Sequence, residues 1–197
     1  MSKLKVALVI GACLLAAAGG YGLSQFQHGG EEHAHGPTGA DTPSTQKPGT
    51  TAAAASESLP AGIALSELDG RQYSLDDYKG KLMIINFWAT WCGPCLNEIP
   101  ILVKMQERYG AKGFQLIGPA VDDIEEARRA APGLKFNYPI AVGTPEDMLE
   151  LMATLGNDQG GLPFSVVIAP DGRIIERQLG EYSEVELAGL IEKYLPH

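Results

Sequence analysis

The chain has 197 residues, of which 45% are hydrophobic, enough for one domain with a packed core and additional segments. Its formal net charge is -9 at pH 7. Because an acidic surface repels phosphate groups, the composition argues against a nucleic-acid-binding protein, and we expect no nucleic acid partner.

The N-terminal residues 1–23 combine a basic start with an apolar run. Lys3 and Lys5 precede the run, which contains no acidic residue. The pattern is typical of an export signal or a membrane anchor. Three alternatives remain open: an uncleaved anchor, a signal cleaved near the small residues 16–18, and a lipoprotein signal at Cys13. Each predicts a domain outside the cytoplasm, on the periplasmic side, either tethered to the inner membrane or exported.

The next segment, residues 24–58, is rich in Gly, Pro, Thr, Ser and Ala and has no apolar periodicity. Such a segment buries too little surface to fold, and we predict a flexible linker. It contains five candidate metal ligands: His28, Glu31, Glu32, His33 and His35. Because a flexible segment provides no fixed ligand geometry, we favour a solvated linker and expect no metal site.

From Leu59 onward, strand and helix patterns alternate, separated by turn and capping signals. The order predicts an α/β domain: a central sheet with helices on both faces. The long helix after the cysteine motif is expected to bury Leu96, Ile99, Leu102 and Val103. The predicted elements in chain order are a hairpin of 63–65 and 72–74, a strand at 82–87, a helix at 94–109 ending at Gly110, a strand at 114–121, a helix from Asp122 or Asp123 to Ala131, a strand at 138–142, a helix from Thr144 to Gly156, a strand pair at 164–168 and 173–179, and a helix from Ser183 to about Leu195.

The motif Trp91-Cys92-Gly93-Pro94-Cys95 places two thiols one helical turn apart, directly after a buried strand pattern. Cys92 is predicted to cap the following helix, where free backbone N–H groups and the positive end of the helix dipole favour the thiolate. Cys92 is therefore the predicted nucleophile. Cys95, one turn further along, is the predicted resolving thiol, which attacks a mixed disulfide on Cys92.

The same spacing has two other interpretations. Half of a zinc site needs two further ligands, but no second Cys-x-x-Cys and no His-x-x-x-His follows. A structural disulfide would gain little stability from closing so short a ring. We therefore favour redox chemistry by a Cys92–Cys95 disulfide and expect no other cofactor.

Three stretches together resemble the thioredoxin superfamily: Phe-Trp-Ala-Thr-Trp-Cys-Gly-Pro-Cys at 87–95, Pro100 in the following helix, and Gly-Leu-Pro at 161–163. The likeness is greatest to its TlpA/ResA-type members, which are membrane-anchored extracytoplasmic thiol:disulfide oxidoreductases. It covers residues 59–197, the predicted thioredoxin-like domain. The resemblance implies a thioredoxin fold with a central mixed sheet flanked by helices, an N-terminal hairpin, and a helix and strand inserted at about 124–142.

The resemblance also implies roles for residues around the cysteines. Pro163 is expected to follow a cis peptide bond that turns the chain sharply, so that the backbone of Leu162 binds an extended substrate segment. From spacing alone, a proline ahead of a strand is more often only a strand boundary, and it is the family resemblance that favours the cis proline. Trp91 would form an apolar wall over the sulfur atoms. Gly93 and Pro94 would tune thiolate stability and contact the substrate.

Three residues depart from the family pattern or bear on it. Asn86 stands where thioredoxin has a buried aspartate, and an amide does not accept a proton at ordinary pH. Glu98 is the nearest acidic candidate for proton transfer, although its position also fits a solvated helix residue. Leu162 replaces the threonine or other residue that many relatives carry before the proline, which predicts a change of substrate preference.

Two prolines are expected to perturb the predicted elements. Pro119 lacks an N–H group, so its strand should end at Gly118 or contain a bulge. Pro100 removes one backbone hydrogen bond from the active-site helix and is expected to kink it.

The Gly-Pro pair between the cysteines is that of thioredoxin, a strong reductant, and favours a reductase. A reductase outside the cytoplasm needs electrons delivered across the membrane. The resemblance implies a thiol-reducing membrane partner of the CcdA/DsbD kind, and disulfides of exported proteins as substrates, such as those of apocytochrome c or of copper sites. The alternatives are a Cu(I)-handling metallochaperone, disfavoured because no histidine lies between Gly36 and Pro196, and a peroxiredoxin-like peroxidase, disfavoured by the cysteine spacing.

Overall fold

The structure is a computed structural model that describes residues 57–196. The predicted anchor or signal at 1–23, nearly all of the predicted linker at 24–58 and its five candidate metal ligands lie outside the described residues. Between residues 57 and 196, none of the helices has the length and hydropathy needed to span a bilayer.

The described residues form seven strands and four α-helices, with short 3-10 turns at Leu75–Tyr78 and Gly110–Lys112. The predicted hairpin, strand pair and four helices are all present. In chain order the elements are β1 (Ala64–Glu67), β2 (Gln72–Ser74), β3 (Leu82–Phe87), α1 (Gly93–Tyr109), β4 (Phe114–Ile117), α2 (Ile124–Leu134), β5 (Ala141–Val142), α3 (Pro145–Thr154), β6 (Phe164–Ile168), β7 (Ile174–Leu179) and α4 (Glu184–Tyr194).

The strands form two sheets, which are joined by backbone hydrogen bonds between residues that follow β4 and residues in and just before β5. The larger has the order β4-β3-β6-β7, in which β3 and β4 are parallel and β6 is antiparallel to both β3 and β7. The smaller, antiparallel sheet has the order β2-β1-β5. Backbone hydrogen bonds join them: Gly118 N to Pro139 O at 2.9 Å, Ala141 N to Gly118 O at 3.1 Å, and Ala120 N to Ala141 O at 2.9 Å. The predicted central mixed sheet is confirmed.

The larger sheet has two buried faces, because side chains alternate along each strand. One face packs against α1, α2 and α4, and we call it the cysteine face because Cys92 and Cys95 belong to its cluster. Strand β3 contributes Leu82, Ile84 and Asn86 to this face. The opposite face packs against α3 and the hairpin. Helices therefore cover both faces, as predicted. From β3 and β6 the opposite face receives Met83, Ile85, Phe87, Phe164, Val166 and Ile168.

Three helices begin at predicted capping residues. Thr144 and Ser183 each form a reciprocal capping box, with Asp147 and Glu186 respectively. Asp123 caps α2, since its Oδ1 accepts a hydrogen bond from the Glu125 N–H at 2.8 Å. Of the two aspartates predicted for this cap, Asp123 is therefore the one that serves.

The strand predicted at 114–121 is too long, because β4 ends at Ile117. Pro119 has no N–H for the ladder, so only its carbonyl pairs, accepting from Trp88 N at 3.1 Å. Pairing resumes where Val121 N donates to Trp88 O at 2.8 Å. Pro119 thus interrupts the strand locally, close to the predicted end at Gly118.

Other boundaries partly differ from the prediction. Helix α1 itself ends at Tyr109 with Gly110 as its C-cap, as predicted, and a 3-10 turn then leads to Gly113, which has a left-handed φ of 92°. Helix α2 passes Ala131 and ends where Lys135 adopts a left-handed φ of 55°. The strand predicted at 138–142 is reduced to Ala141–Val142, because Pro139 provides no N–H.

The predicted core face of α1 is partly wrong. Ile99 and Leu102 are buried as expected, but Leu96 and Val103 are only partly buried. The buried stripe is displaced toward Cys95 and Glu98, which share one side of the helix with Ile99 and Leu102.

Candidate active site

Cys92 and Cys95 form a disulfide at the start of α1, with their Cα atoms 5.3 Å apart. Cys92 is the helix cap, as predicted, and its Sγ accepts a hydrogen bond from the Cys95 N–H at 3.2 Å. Once the disulfide is reduced, such a donor stabilises a thiolate on Cys92. Cys92 is 6% exposed and Cys95 is 1% exposed, so Cys92 is the more accessible of the two cysteines.

The local sequence explains why α1 starts at this point. Cys92 has extended backbone angles, and Pro94 occupies the first turn, where a missing N–H breaks no helical hydrogen bond. Helix α1 continues through Pro100 to Tyr109. The Cys92 sulfur therefore lies beside the free N–H groups at the start of a long helix.

Thr90 anchors the chain just before the cysteine motif. Its N–H and its hydroxyl both donate to Asp122 Oδ2, at 2.7 and 2.6 Å. Asp122 thus holds the loop between β3 and α1, while its neighbour Asp123 caps α2. The local sequence marks Asp122 only as a candidate helix cap, because no local pattern shows a contact 32 residues away.

The Leu162–Pro163 peptide bond is cis, as the family resemblance implies. Strand β6 starts at Phe164, which pairs in register with Phe87 at the end of β3. Pro163 therefore lies at the same sheet edge from which the chain leads to the cysteines. Leu162 is partly buried and packs against the cluster that contains Cys92 and Cys95.

The residues on the rim of the site are exposed. Trp91 is 68% exposed, and Gly93 and Pro94 are exposed as well. The Trp91 side chain, adjacent in sequence to Cys92, is therefore presented to solvent, and its predicted position over the sulfur atoms stays a prediction.

Leu179 is a further exposed apolar residue at this edge, and no motif in the sequence marks it as part of a site. It is 62% exposed, pairs in register with Phe164, and its side chain lies against Gly161. The adjacent Gly180 N–H donates to Pro163 O at 2.8 Å. The sequence signal that could have identified it is a leucine that follows three polar residues at the end of β7.

Glu98 is fully buried, so the solvated alternative for this residue is wrong. It lies one helical turn after Cys95, on the same side of α1. Glu98 Oε1 accepts from the Tyr182 N–H at 2.7 Å, and Oε2 accepts from Asn86 Nδ2 at 2.9 Å. Asn86 Nδ2 also donates to Ser165 Oγ at 2.9 Å. A connected polar group therefore lies within an otherwise apolar cluster.

Burial raises the pKa of Glu98 above its ordinary value, because the charged carboxylate loses its hydration. Hydrogen bonds from Tyr182 and Asn86 oppose this increase, and the negative charge of Glu181 adds to it. A carboxyl group in this position can bind and release a proton near neutral pH more readily than a solvated one.

Residues 47–191 match the model of the Redoxin family. The chain belongs to this family. It is similar to the thiol-disulfide oxidoreductase ResA of Bacillus thuringiensis (strain Al Hakam), with 33% identity over 137 residues that cover 68% of this chain and 75% of the relative. It is also similar to ResA of Bacillus subtilis (strain 168), with 26% identity over 123 residues that cover 62% of this chain and 66% of the relative.

Solved structures confirm the fold of this redoxin. A thiol:disulfide interchange protein of the thioredoxin family from Chlorobium tepidum TLS has a TM-score of 0.66 and 28% identity, covering 74% of this chain and 100% of that chain. The protein is a ResA-like member of the thioredoxin superfamily and a thiol:disulfide oxidoreductase. Among the described residues, no cluster of three or more His, Cys, Asp or Glu could hold a metal ion.

Proposed function

We propose that this redoxin reduces disulfides of exported proteins, with Cys92 as the nucleophile and Cys95 as the resolving thiol. The main support is the position of Cys92 at the cap of α1, where its sulfur accepts a backbone hydrogen bond and Cys95 lies deeper. Gly93 and Pro94 between the cysteines favour the reducing direction.

In the proposed cycle, the Cys92 thiolate attacks one sulfur of the substrate disulfide and releases the other as a thiolate, which takes a proton from solvent. The product is a mixed disulfide on Cys92. Cys95 then loses its proton and attacks Cys92 Sγ, which releases the second substrate thiol and forms the Cys92–Cys95 disulfide. Two electrons and two protons pass to the substrate, and an external dithiol restores the reduced enzyme.

Glu98 is the proposed proton acceptor for Cys95. The two residues are one helical turn apart and both are buried, so solvent has little access to the Cys95 thiol. Within the described residues, Glu98 is the fully buried acidic side chain of this cluster. Its carboxylate would take the thiol proton as Cys95 attacks and then pass it to the departing substrate thiolate.

The proposed docking surface consists of the exposed Trp91 ring, the Leu162–Pro163 backbone and the Leu179 side chain. An extended segment of the substrate would pair with the backbone of Leu162 next to the cis peptide bond. Trp91 and Leu179 carry exposed apolar area, and Leu179 lies against Gly161, which precedes Leu162 in the chain. Their contribution would be affinity for protein substrates and not chemistry at the sulfurs.

We further propose that residues 1–23 anchor or export the protein, that 24–58 link this segment to the domain, and that the domain of 59–197 works on the periplasmic side. Two relatives carry the name ResA, which supports the family resemblance on which this arrangement rests. The corresponding partner is a thiol-reducing membrane protein of the CcdA/DsbD kind. The corresponding substrates are cysteine pairs of apocytochromes c or of copper sites.

Trapping of the mixed disulfide tests this function. The full-length Cys95→Ala variant, expressed in its native host, should accumulate disulfides between Cys92 and exported proteins that contain paired cysteines. The matched control, Cys92→Ala with Cys95→Ala, should trap none of them. Identification of the trapped proteins by mass spectrometry names the substrate.

Two outcomes would contradict the proposal. The first is an absence of trapped exported proteins together with failure of the wild type to reduce a model disulfide. The second is tight, stoichiometric Cu(I) binding by the reduced protein without disulfide exchange, which would favour the copper-handling alternative.

A further inference from the structure

Three buried residues on the cysteine face form a chain of hydrogen bonds from β6 through β3 to α1. Asn86 Nδ2 uses both of its hydrogens, one toward Ser165 Oγ and one toward Glu98 Oε2, each at 2.9 Å. Asn86 is 2% exposed, and Ser165 and Glu98 are fully buried. The remaining Glu98 oxygen, Oε1, faces the Tyr182 N–H at 2.7 Å.

This arrangement suits a charged Glu98 and conflicts with a protonated one. A carboxylate only accepts hydrogen bonds, and both of its oxygens face donors. A carboxylic acid has an O–H group that must itself donate. The Tyr182 N–H cannot accept, so the proton has to lie on Oε2, where it would point at the Asn86 NH2 group. Two buried donors facing each other are unfavourable.

Asn86 can remove this conflict because its amide has a donor side and an acceptor side. A half-turn of the amide about Cβ–Cγ brings Oδ1 to the place of Nδ2. Oδ1 then accepts from the Glu98 O–H, and the Ser165 hydroxyl, which can donate as well as accept, rotates to donate to the same oxygen. The Glu98–Asn86 and Asn86–Ser165 hydrogen bonds are both kept with their directions reversed, while the Tyr182 N–H still donates to Glu98 Oε1.

We infer that the Asn86 amide rotates by a half-turn whenever Glu98 gains or loses its proton, and that the Ser165 hydroxyl rotates with it. Asn86 and Ser165 are thus positioning residues that keep Glu98 hydrogen-bonded in both states. The inference rests on the proposed function of Glu98. The proton arrives from the Cys95 thiol and leaves to the substrate thiolate, and the amide and hydroxyl only rotate.

The surroundings of Glu98 leave the Asn86 amide as the group that must respond. Glu181, in the loop between β7 and α4, disfavours a charge on Glu98. Tyr138 and Tyr182 stay protonated, because burial raises the pKa of each phenol further above its ordinary value. In the oxidised protein Cys95 does not titrate, so that form isolates Glu98.

The first test uses NMR spectroscopy of the full-length oxidised protein, with 13C in the glutamate carboxyl groups and 15N in the asparagine amides. On titration, the Asn86 NH2 signals should change with the same midpoint as the Glu98 carboxyl carbon. The cross-peaks from the Asn86 amide hydrogens to Ser165 Hβ should be present above that midpoint and lost below it. Cross-peaks that persist on both sides would overturn the inference.

Glu98→Gln provides a second test that is independent of pH. Its Oε1 must face the Tyr182 N–H, so its NH2 group faces Asn86 and requires the turned amide. The Asn86 signals of this variant should therefore match those of the acidic wild type at every pH. Signals that match the alkaline wild type would overturn the inference.

Ser165→Ala tests the hydroxyl. The charged state loses an acceptor for one buried Asn86 N–H, whereas the protonated state keeps the Glu98 O–H on Oδ1. The midpoint of Glu98 should rise by about one pH unit, and Ser165→Thr, which keeps a hydroxyl, should restore it. An unchanged midpoint in Ser165→Ala would remove Ser165 from the inference.

These tests separate the inference from the proposed function. If Glu98→Gln resolves mixed disulfides as fast as the wild type while the Asn86 signals follow the Glu98 titration, the amide rotation is supported and proton transfer by Glu98 is refuted. If resolution is slow but the Asn86 signals do not respond, proton transfer is supported and the amide rotation is refuted.

Discussion

The two faces of the larger sheet are formed by the same strands but bury different chemistry. On the opposite face, β3 and β6 contribute only apolar side chains. On the cysteine face, the paired positions Asn86 and Ser165 are polar, and Glu98 of α1 completes a buried hydrogen-bonded group. Polar groups are thus concentrated on the face where the reactive cysteines lie.

The comparison shows which face stabilises the domain and which face serves the chemistry. Burial of apolar side chains stabilises the fold on both faces. A buried carboxyl group, by contrast, opposes folding in its charged form, as the raised pKa of Glu98 indicates. The cysteine face therefore gives up some stability to hold a buried carboxyl group one helical turn from Cys95, where we propose that it accepts a proton.

Removal of Cys92, the proposed nucleophile, should have the largest effect. Cys92→Ser should reduce the rate of protein disulfide reduction to that of the uncatalysed reaction, because a serine hydroxyl does not form a disulfide. Turnover of a model disulfide by the purified full-length protein measures this. Cys13→Ser is the matched control and should retain full activity, since Cys13 lies outside the predicted redox domain.

Glu98→Gln should slow the resolving step by about 10²-fold at neutral pH, because a positioned acid–base group typically contributes at least this much. Rapid-mixing measurements of substrate release from the mixed disulfide report this step alone. Glu181→Gln, which removes an exposed acid near Glu98, is the control and should change the rate little. Equal effects of both variants would indicate a general charge effect and contradict the specific role of Glu98.

The same variant should change how stability depends on pH. Because the pKa of Glu98 is raised, the folded state holds its proton longer than the unfolded state. The contribution of Glu98 to stability is therefore largest below its ordinary value of 4.5 and is lost as the pH rises through the raised pKa. Chemical unfolding of the oxidised protein measures this. Between low and high pH, the free energy of unfolding of Glu98→Gln should increase relative to that of the wild type, by about 1.4 kcal/mol for each unit by which folding raises the pKa of Glu98. If the difference in free energy of unfolding between the variant and the wild type stayed constant across pH, the buried Glu98 carboxylate would not destabilise the cysteine face as we expect.

Leu179→Ser should affect docking and leave the chemistry unchanged. We expect KM for a protein substrate to rise by about 3- to 10-fold through loss of apolar contact, while the reduction of a small disulfide stays unchanged. Val185→Ser, at another exposed apolar residue, is the matched control and should alter neither. A loss of activity toward both substrates would show that Leu179 acts on the cysteines and not on docking.

The smallest effect on activity is expected on the opposite face. Ile85→Val removes one methylene group from a fully buried side chain adjacent in sequence to Asn86. It should lower the free energy of unfolding by about 0.5–1.5 kcal/mol and leave the pH profile of disulfide exchange unchanged. Kinetics measured beside a denaturant titration would reveal any shift of the profile, which would contradict the division between the two faces.

Local signals in the sequence were sufficient for most elements. Thr144, Asp123 and Ser183 cap helices because a side-chain oxygen satisfies N–H groups only two or three residues away. The strand limits near Pro119 and Pro139 were harder, since a missing N–H matters only where a particular neighbouring strand requires it. The cysteine motif was readable because its spacing and its strand-to-helix context are both local.

The status of Glu98 shows what local reasoning could not decide. A glutamate on a helix is solvated or buried according to what packs over it, and Tyr182 comes from 84 residues further along the chain. In the sequence, Asn86 only marked the absence of the aspartate that thioredoxin has at this position. The fold makes Asn86 the hydrogen-bond partner of Glu98 on α1. Ser165 carried no sequence signal, because a serine in a buried strand acquires a role only from its register.

The amino-acid sequence by itself determined the cysteine chemistry, the helix caps and the alternation that defines two faces of the sheet, because each depends on neighbours a few residues apart. Only the tertiary structure decided which polar side chains meet. Ser165, Asn86, Glu98 and Tyr182 come from four separate segments, and their hydrogen bonds exist because strand register and helix packing bring those segments within 3 Å of one another.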